Sequence, residues 1–120
     1  MKRNTGIAQL TAARTLLSDT QLESFFRAAG TEDHPRAPGI VSDGLKKGRT
    51  LNAIFSDFPN TGSLREELHI MLKVKRLSPR TFALEFGFSG AQVGDGGSWR
   101  VVFGPKGNVV RIEGTGFWIH

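Results

Sequence analysis

The 120-residue chain contains no cysteine, which excludes a disulfide framework, a thiolate nucleophile and any thiolate-ligated metal. Tyrosine is also missing, so no phenol can act as an acid or as an oxyanion donor. No apolar run approaches the roughly 20 residues of a membrane span. The opening Met1-Lys2-Arg3 is basic, but Gln9, Thr11, Arg14 and Thr15 interrupt the hydrophobic segment that a signal peptide would need. These absences lead to the expectation of a cytoplasmic protein with no membrane partner. Acidic residues are in the minority, 11 against 16 lysines and arginines, for a formal net charge of +5. A surplus of this sign favours an anionic partner through its long-range field. The charges are dispersed and form no run, so solubility is the plainer use of them. The length is sufficient to bury a core without staples, and one domain spanning 1–120 is expected.

What is present is strongest between Arg65 and the C-terminus. Leu68, Ile70, Leu72 and Val74 alternate with His69, Met71, Lys73 and Lys75. After a break at Leu77-Ser78-Pro79, Phe82, Leu84, Phe86 and Phe88 alternate with Thr81, Ala83, Glu85 and Gly87. A period of two in β-branched and aromatic residues marks strands with one buried face. Pairing Val74 with Phe82, Leu72 with Leu84, Ile70 with Phe86 and Leu68 with Phe88 places all eight apolar residues on that face. Ser89 to Gly97 reads as a glycine-rich connection and Trp99 to Phe103 as a third strand. Gly104-Pro105-Lys106-Gly107 is a turn, and a fourth strand follows from Val109 towards Ile119. Gly114 and Gly116 are expected to bend or bulge it.

The first half of the chain carries helical spacing instead. Ile7, Leu10, Ala13 and Leu17 predict a helix from about Gly6 to Leu17. Ser18 and Gln21 form a capping box for a second helix bearing Leu22, Phe25, Phe26 and Ala29, with Gly30 as its C-terminal glycine. Thr50 caps a third, with Leu51, Ile54, Phe55 and Phe58 on one face, stopped at Pro59-Asn60-Thr61-Gly62. Between them, Thr31 to Lys47 is rich in proline, glycine and charge and reads as a loop, with Ile40-Val41 as a brief strand. The fold class is therefore α+β, with N-terminal helices packed on a curved, four-stranded antiparallel meander.

If Phe103 pairs with Val109, one face of the last hairpin holds Trp99, Val101, Phe103, Val109 and Arg111. The other holds Arg100, Val102, Val110, Ile112 and Trp118. Both faces are partly apolar, so the second needs a cover, and a homodimer through the open sheet face is the expected cover. Arg100 and Arg111 fall on opposite faces in this reading, and only Arg111 has an acid beside it, Glu113. Arg100 is therefore the candidate for gripping an anionic or carbonyl-bearing ligand. Trp99, Trp118 and Phe86 are the candidate apolar walls of its site.

Helices first, then a long curved antiparallel meander bent near its end, resembles the cone-shaped α+β fold of nuclear transport factor, ketosteroid isomerase and scytalone dehydratase, and the related cystatin arrangement. The resemblance lies in element order alone. It implies a cavity between helices and sheet that holds a small apolar molecule, and dimerisation through the sheet. The missing tyrosine rules out an isomerase-like phenolic donor. A dehydratase-like site would need an Asp and a His facing the cavity, and His34, His69 and His120 fall on no face assigned to the core.

Four other groupings bear on function. Glu67 and His69, with Glu85 across the hairpin, could tune an imidazole base but read more plainly as a cross-strand polar group. Thr31-Glu32-Asp33-His34 lacks a convergent fourth ligand, so no metal site is expected. The glycines from Gly87 to Gly97 lack a phosphate-loop ending and instead suggest a mobile flap over a pocket mouth. Lys73, Lys75, Arg76 and Arg80 cluster at the first hairpin tip, and Lys46, Lys47 and Arg49 form a second basic group. A basic β-ribbon can track a phosphate backbone, but charges at hairpin ends also guard an edge against aggregation. The expected function is a small ligand-binding or protein-interaction module with no cofactor and an apolar pocket between helices and sheet. The alternatives are a cofactor-free dehydratase- or isomerase-like enzyme and a basic nucleic-acid-binding accessory protein.

Overall fold

Four helices precede four strands in the computed structural model, which describes residues 5–31, 35–57, 69–90 and 94–119. The helices are α1 (Thr5–Ala13), α2 (Asp19–Ala29), α3 (Ala37–Lys46) and α4 (Leu51–Asp57). The strands β1 (His69–Arg76), β2 (Thr81–Ser89), β3 (Gly94–Phe103) and β4 (Val109–Ile119) form an antiparallel meander in the order β1-β2-β3-β4. The α+β class read from the sequence is the one observed.

Local chemistry accounts for the helix ends. The Ser18 hydroxyl accepts from the Gln21 backbone N–H at 3.2 Å, and the Gln21 side chain accepts from the Ser18 N–H at 2.8 Å, completing the capping box. The Thr50 hydroxyl likewise accepts from the Ala53 N–H at 3.1 Å. Arg14, just beyond α1, donates to Asp19 at 2.7 and 3.0 Å and to Asn52 at 2.6 Å, tying α1 to the start of α2 and to α4. Gly30 ends α2 with φ −73°, not in the left-handed region expected of a C-terminal glycine. Its small size serves packing: a Cβ there would stand 2.7 Å from the Ser42 Cβ and 2.8 Å from the Phe26 carbonyl oxygen.

Residues 37–46 are helical, where the sequence reading has a loop with a strand at Ile40-Val41. Ala37, Val41 and Leu45 recur at i, i+4 and i+8 and are all buried. Pro38 falls in the first turn, where a missing N–H is harmless.

The sheet buries the face that the alternation assigns to it. Ile70, Leu72, Phe82, Leu84 and Phe86 join Phe25, Phe26 and Phe55 of the helices in one cluster, with Val74 and Phe88 packed against it. Phe26 lies edge-on to Phe86 at 4.8 Å and to Phe55 at 5.8 Å, and Phe25 edge-on to Trp99 at 5.3 Å. Leu68 and Phe58 lie outside the described residues. The pairing of the first hairpin differs by two positions from the expected one: Ile70 faces Phe88, Leu72 faces Phe86, Val74 faces Leu84 and Arg76 faces Phe82. A shift of two leaves every side chain on its own face, so hydrophobic patterning does not oppose it.

β3 begins at Gly94, so Gly94-Asp95-Gly96-Gly97 is paired, buried strand, and the flap expected over this stretch does not form there. Its glycines serve close approach. A Cβ on Gly87 would lie 2.5 Å from the Asp95 carbonyl oxygen, and one on Gly96 would lie 2.3 Å from the Trp118 ring. The Trp118 ring, opposite Gly96, thus packs on the outer sheet face against two glycines. Gly87→Ala must push backbone from backbone and is expected to destabilise by about 1–3 kcal/mol, read as a lower urea midpoint with an unchanged slope.

The second hairpin turns at Gly104-Pro105-Lys106-Gly107 as expected, with Gly107 at φ +86°. Phe103 faces Val109, but a register shift follows at once, so Val102 faces Arg111 and Val101 faces Ile112. Val110 is the extra residue, and it inverts the expected faces: Ile112 turns inward against the core and Arg111 turns outward. A second shift, at Ser98/Trp99, skips Thr115 between Gly114 and Gly116, where the glycines foretell a bulge.

Candidate functional site

Trp99 is 4% exposed, on the inward face of β3, with its ring leaning along the strand over Gly97. It floors a cleft of about 440 Å³ whose walls are Ala28 and Ala29 of α2, Pro35, and Ile112, Gly114, Thr115, Gly116 and Phe117 of β4. The cleft exists because the helical layer is shorter than the sheet. α2 ends at Ala29 while β4 runs on to Ile119, and Phe117 and Ile119, opposite the inward Gly97 and Asp95, are left 65% and 52% exposed. The bulge at Thr115 bends β4 beside it. Thr115 supplies the one hydroxyl among the described lining residues, and no acid, base or histidine is among these.

Asp95 stands on the same inward face and is 5% exposed. Its carboxylate oxygens accept from the Arg36 N–H at 2.9 Å and the Ala37 N–H at 2.7 Å. A carboxylate at a helix N-terminus satisfies donors that have no partner within the helix and complements the helix dipole. Both oxygens are engaged in holding α3 to β3, so Asp95 is a structural clamp. Sequence reasoning placed it in a flexible connection, and only the helix that starts 58 residues earlier gives it this task.

The four residues expected to line one site do not converge. Phe86 is fully buried in the aromatic cluster. Trp99 faces inward, whereas Arg100 and Trp118 lie on the outer face, so the sheet separates the pairs. Arg100 has an acid opposite it after all: the first bulge brings Glu113 directly across from it. With Thr81, Val102 and Arg111, these two line a shallow outer depression of about 280 Å³. Arg100 and Arg111, expected on opposite faces, share this one.

Lys73 and Lys75 are exposed on the outer face of β1, Arg80 is exposed in the hairpin loop, and the Arg76 guanidinium sits over the Phe82 ring at 5.5 Å. Arg76 is thus on the opposite face of the hairpin from Lys73 and Lys75, and the four cations do not share one face. Lys73 lies opposite Glu85 in the ladder. A larger, mainly apolar groove of about 730 Å³ runs beside it, lined by Gln9, Ala12 and Ala13 of α1, by Lys73, Lys75, Ala83, Glu85 and Ser98, and by Leu72, Val74, Leu84, Trp99 and Thr115. His69 faces Ser89 and stands four ladder positions from Glu85, so those two form no pair; Glu67, the Glu32–His34 triplet and His120 lie outside the described residues. Arg49 is bound to Asp57. No cluster of three or more metal-ligating side chains occurs among the described residues, and none of their helices is long and apolar enough to cross a membrane.

No protein-family model matches the chain, and neither a curated protein nor a solved structure is significantly similar to it.

Proposed function

We propose that this protein is a binding module that holds a small apolar molecule in the cleft over Trp99. The observation that carries this reading is the exposed apolar side chain of Phe117 in the wall of a cavity of about 440 Å³ with an indole floor. Most of the lining side chains are apolar, although the surface they leave exposed is more polar than apolar; apolar walls with a few polar groups that orient the occupant are the usual form of a small-molecule site. Thr115 would be one such group. Among the described residues the lining offers no acid or base of the kind that dehydratase-like chemistry needs. The order of elements agrees with kinship to the cone-shaped α+β fold, whose members use the equivalent space in this way; for this chain that kinship is part of the proposal.

The test uses the two tryptophans of the chain. In a Trp118→Phe background, Trp99 emission reports the cleft, and anilinonaphthalene sulfonate serves as an apolar probe. Saturable binding with a matching change in Trp99 emission is expected. Gly114 lies opposite Trp99 with nothing within 4 Å of where its Cβ would be, so Gly114→Leu fills the cleft without a clash. It should weaken the probe by roughly tenfold or more, about 1.4 kcal/mol. Unsaturable binding, or equal affinity in the filled variant, would refute the reading.

A further inference from the structure

We propose that β4 pairs antiparallel with β4 of a second copy of this chain across a two-fold axis at Ile112, joining two four-stranded sheets into one. β4 is an edge strand, and none of its 11 residues is buried. Yet it carries Val109, Val110, Ile112, Phe117, Trp118 and Ile119, and Val110 is 59% exposed. An edge strand directs a row of N–H and C=O groups away from its own sheet, a template for another strand unless it is blocked. The opposite edge is blocked: α1 packs along β1, and the Gln9 side-chain carbonyl accepts from the Leu72 N–H at 2.9 Å. On β4 a comparable contact holds its first residue, where the Ser24 hydroxyl accepts from the Val109 N–H at 2.8 Å.

Charge selects the occupant and the register. Between its two irregularities β4 is regular from Arg111 to Gly114, with Arg111 and Glu113 outward and Ile112 inward. Directly opposed residues must share a face. An axis midway between two neighbouring residues sets an outward residue against an inward one. One at Arg111 sets arginine against arginine, one at Glu113 sets glutamate against glutamate, and one at Gly114 sets outward Arg111 against inward Phe117. An axis at Ile112 alone sets Arg111 against Glu113 twice and Ile112 against itself. Glu113, already facing Arg100 in its own sheet, then lies between two arginines. A two-fold contact of this kind closes on itself and leaves no edge on which a fibre could grow. The interface expected from the sequence thus moves from the sheet face to its rim, because the bulge at Val110 removes Ile112 from the outer face.

Sedimentation velocity on the full chain tests this, with far-UV circular dichroism as the check on folding. The wild type is expected to sediment as a dimer. Arg111→Glu alone opposes two pairs of acids, and Glu113→Arg alone opposes two pairs of bases, so each should raise the dimer dissociation constant by roughly tenfold or more. Mixed in equal amounts, the two variants present Glu against Arg at both positions, and the dimer should return. Ile112→Cys, in a chain with no other cysteine, gives a second readout that involves no charge reversal: a short bis-maleimide should link it into dimers. A monomeric wild type, variants that keep wild-type dimerisation, a mixture no tighter than its parts, or no cross-linking at Ile112→Cys would each overturn the proposal.

Discussion

Phe86→Ala is expected to lower stability by about 4 kcal/mol, a fall in Tm on the order of 15 °C for a chain of this size. Phe86 is fully buried at the centre of β2, 4.8 Å from the Phe26 ring and 5.8 Å from the Phe55 ring. Its removal takes away transfer free energy and leaves a cavity that two helices and a sheet cannot jointly collapse into. Phe86→Leu, which keeps most of the volume, should lose much less. Urea unfolding measures both. The result also separates two roles for this residue, because a pocket wall would change probe affinity with little change in stability. A loss below about 1 kcal/mol would contradict the placement of Phe86 at the centre of a packed core.

Asp95→Ala is expected to destabilise by about 3 kcal/mol, because two N–H groups at the α3 N-terminus lose a charged acceptor and one of them is buried. α3 has ten residues and is marginal as an isolated helix, so its docking depends on such contacts. Asp95→Asn keeps one accepting oxygen but turns an NH2 group towards the second N–H, and should fall between wild type and Asp95→Ala. Amide exchange adds a local signature: Val41 to Lys46 should lose protection before the strands do. If α3 exchange in Asp95→Ala stays at the wild-type rate, the clamp has another basis.

The strands were legible because burial on one face imposes a period of two, and Phe82, Leu84 and Phe86 obey it. Which residue faces which was not legible. Sliding β1 by two positions keeps Ile70 and Leu72 inward, and the choice falls to the loop, where the Leu77 and Ser78 N–H groups both donate to the Thr81 carbonyl, at 2.8 and 3.1 Å. The Ser18 and Thr50 caps were legible because their partners lie three residues away. α3 was obscured by Pro38, Gly39 and Gly44, although Ala37, Val41 and Leu45 held the helical signal throughout.

The candidate site was legible only in its materials. Trp99, Trp118, Arg100 and Phe86 were singled out as large or charged residues on strands, but their grouping depended on which face each one took. One extra residue at Val110 reverses the faces that follow it, placing Arg111 with Arg100 and turning Ile112 to the core. No composition or spacing announces that bulge. The amino-acid order by itself determined the elements, the capping of two helices and the buried stripe, all of which arise from interactions between near neighbours. The folded chain decided the strand register, the Asp95 clamp, the cleft over Trp99 and the exposed rim of β4, because each depends on where a helix stops relative to a strand far along the chain.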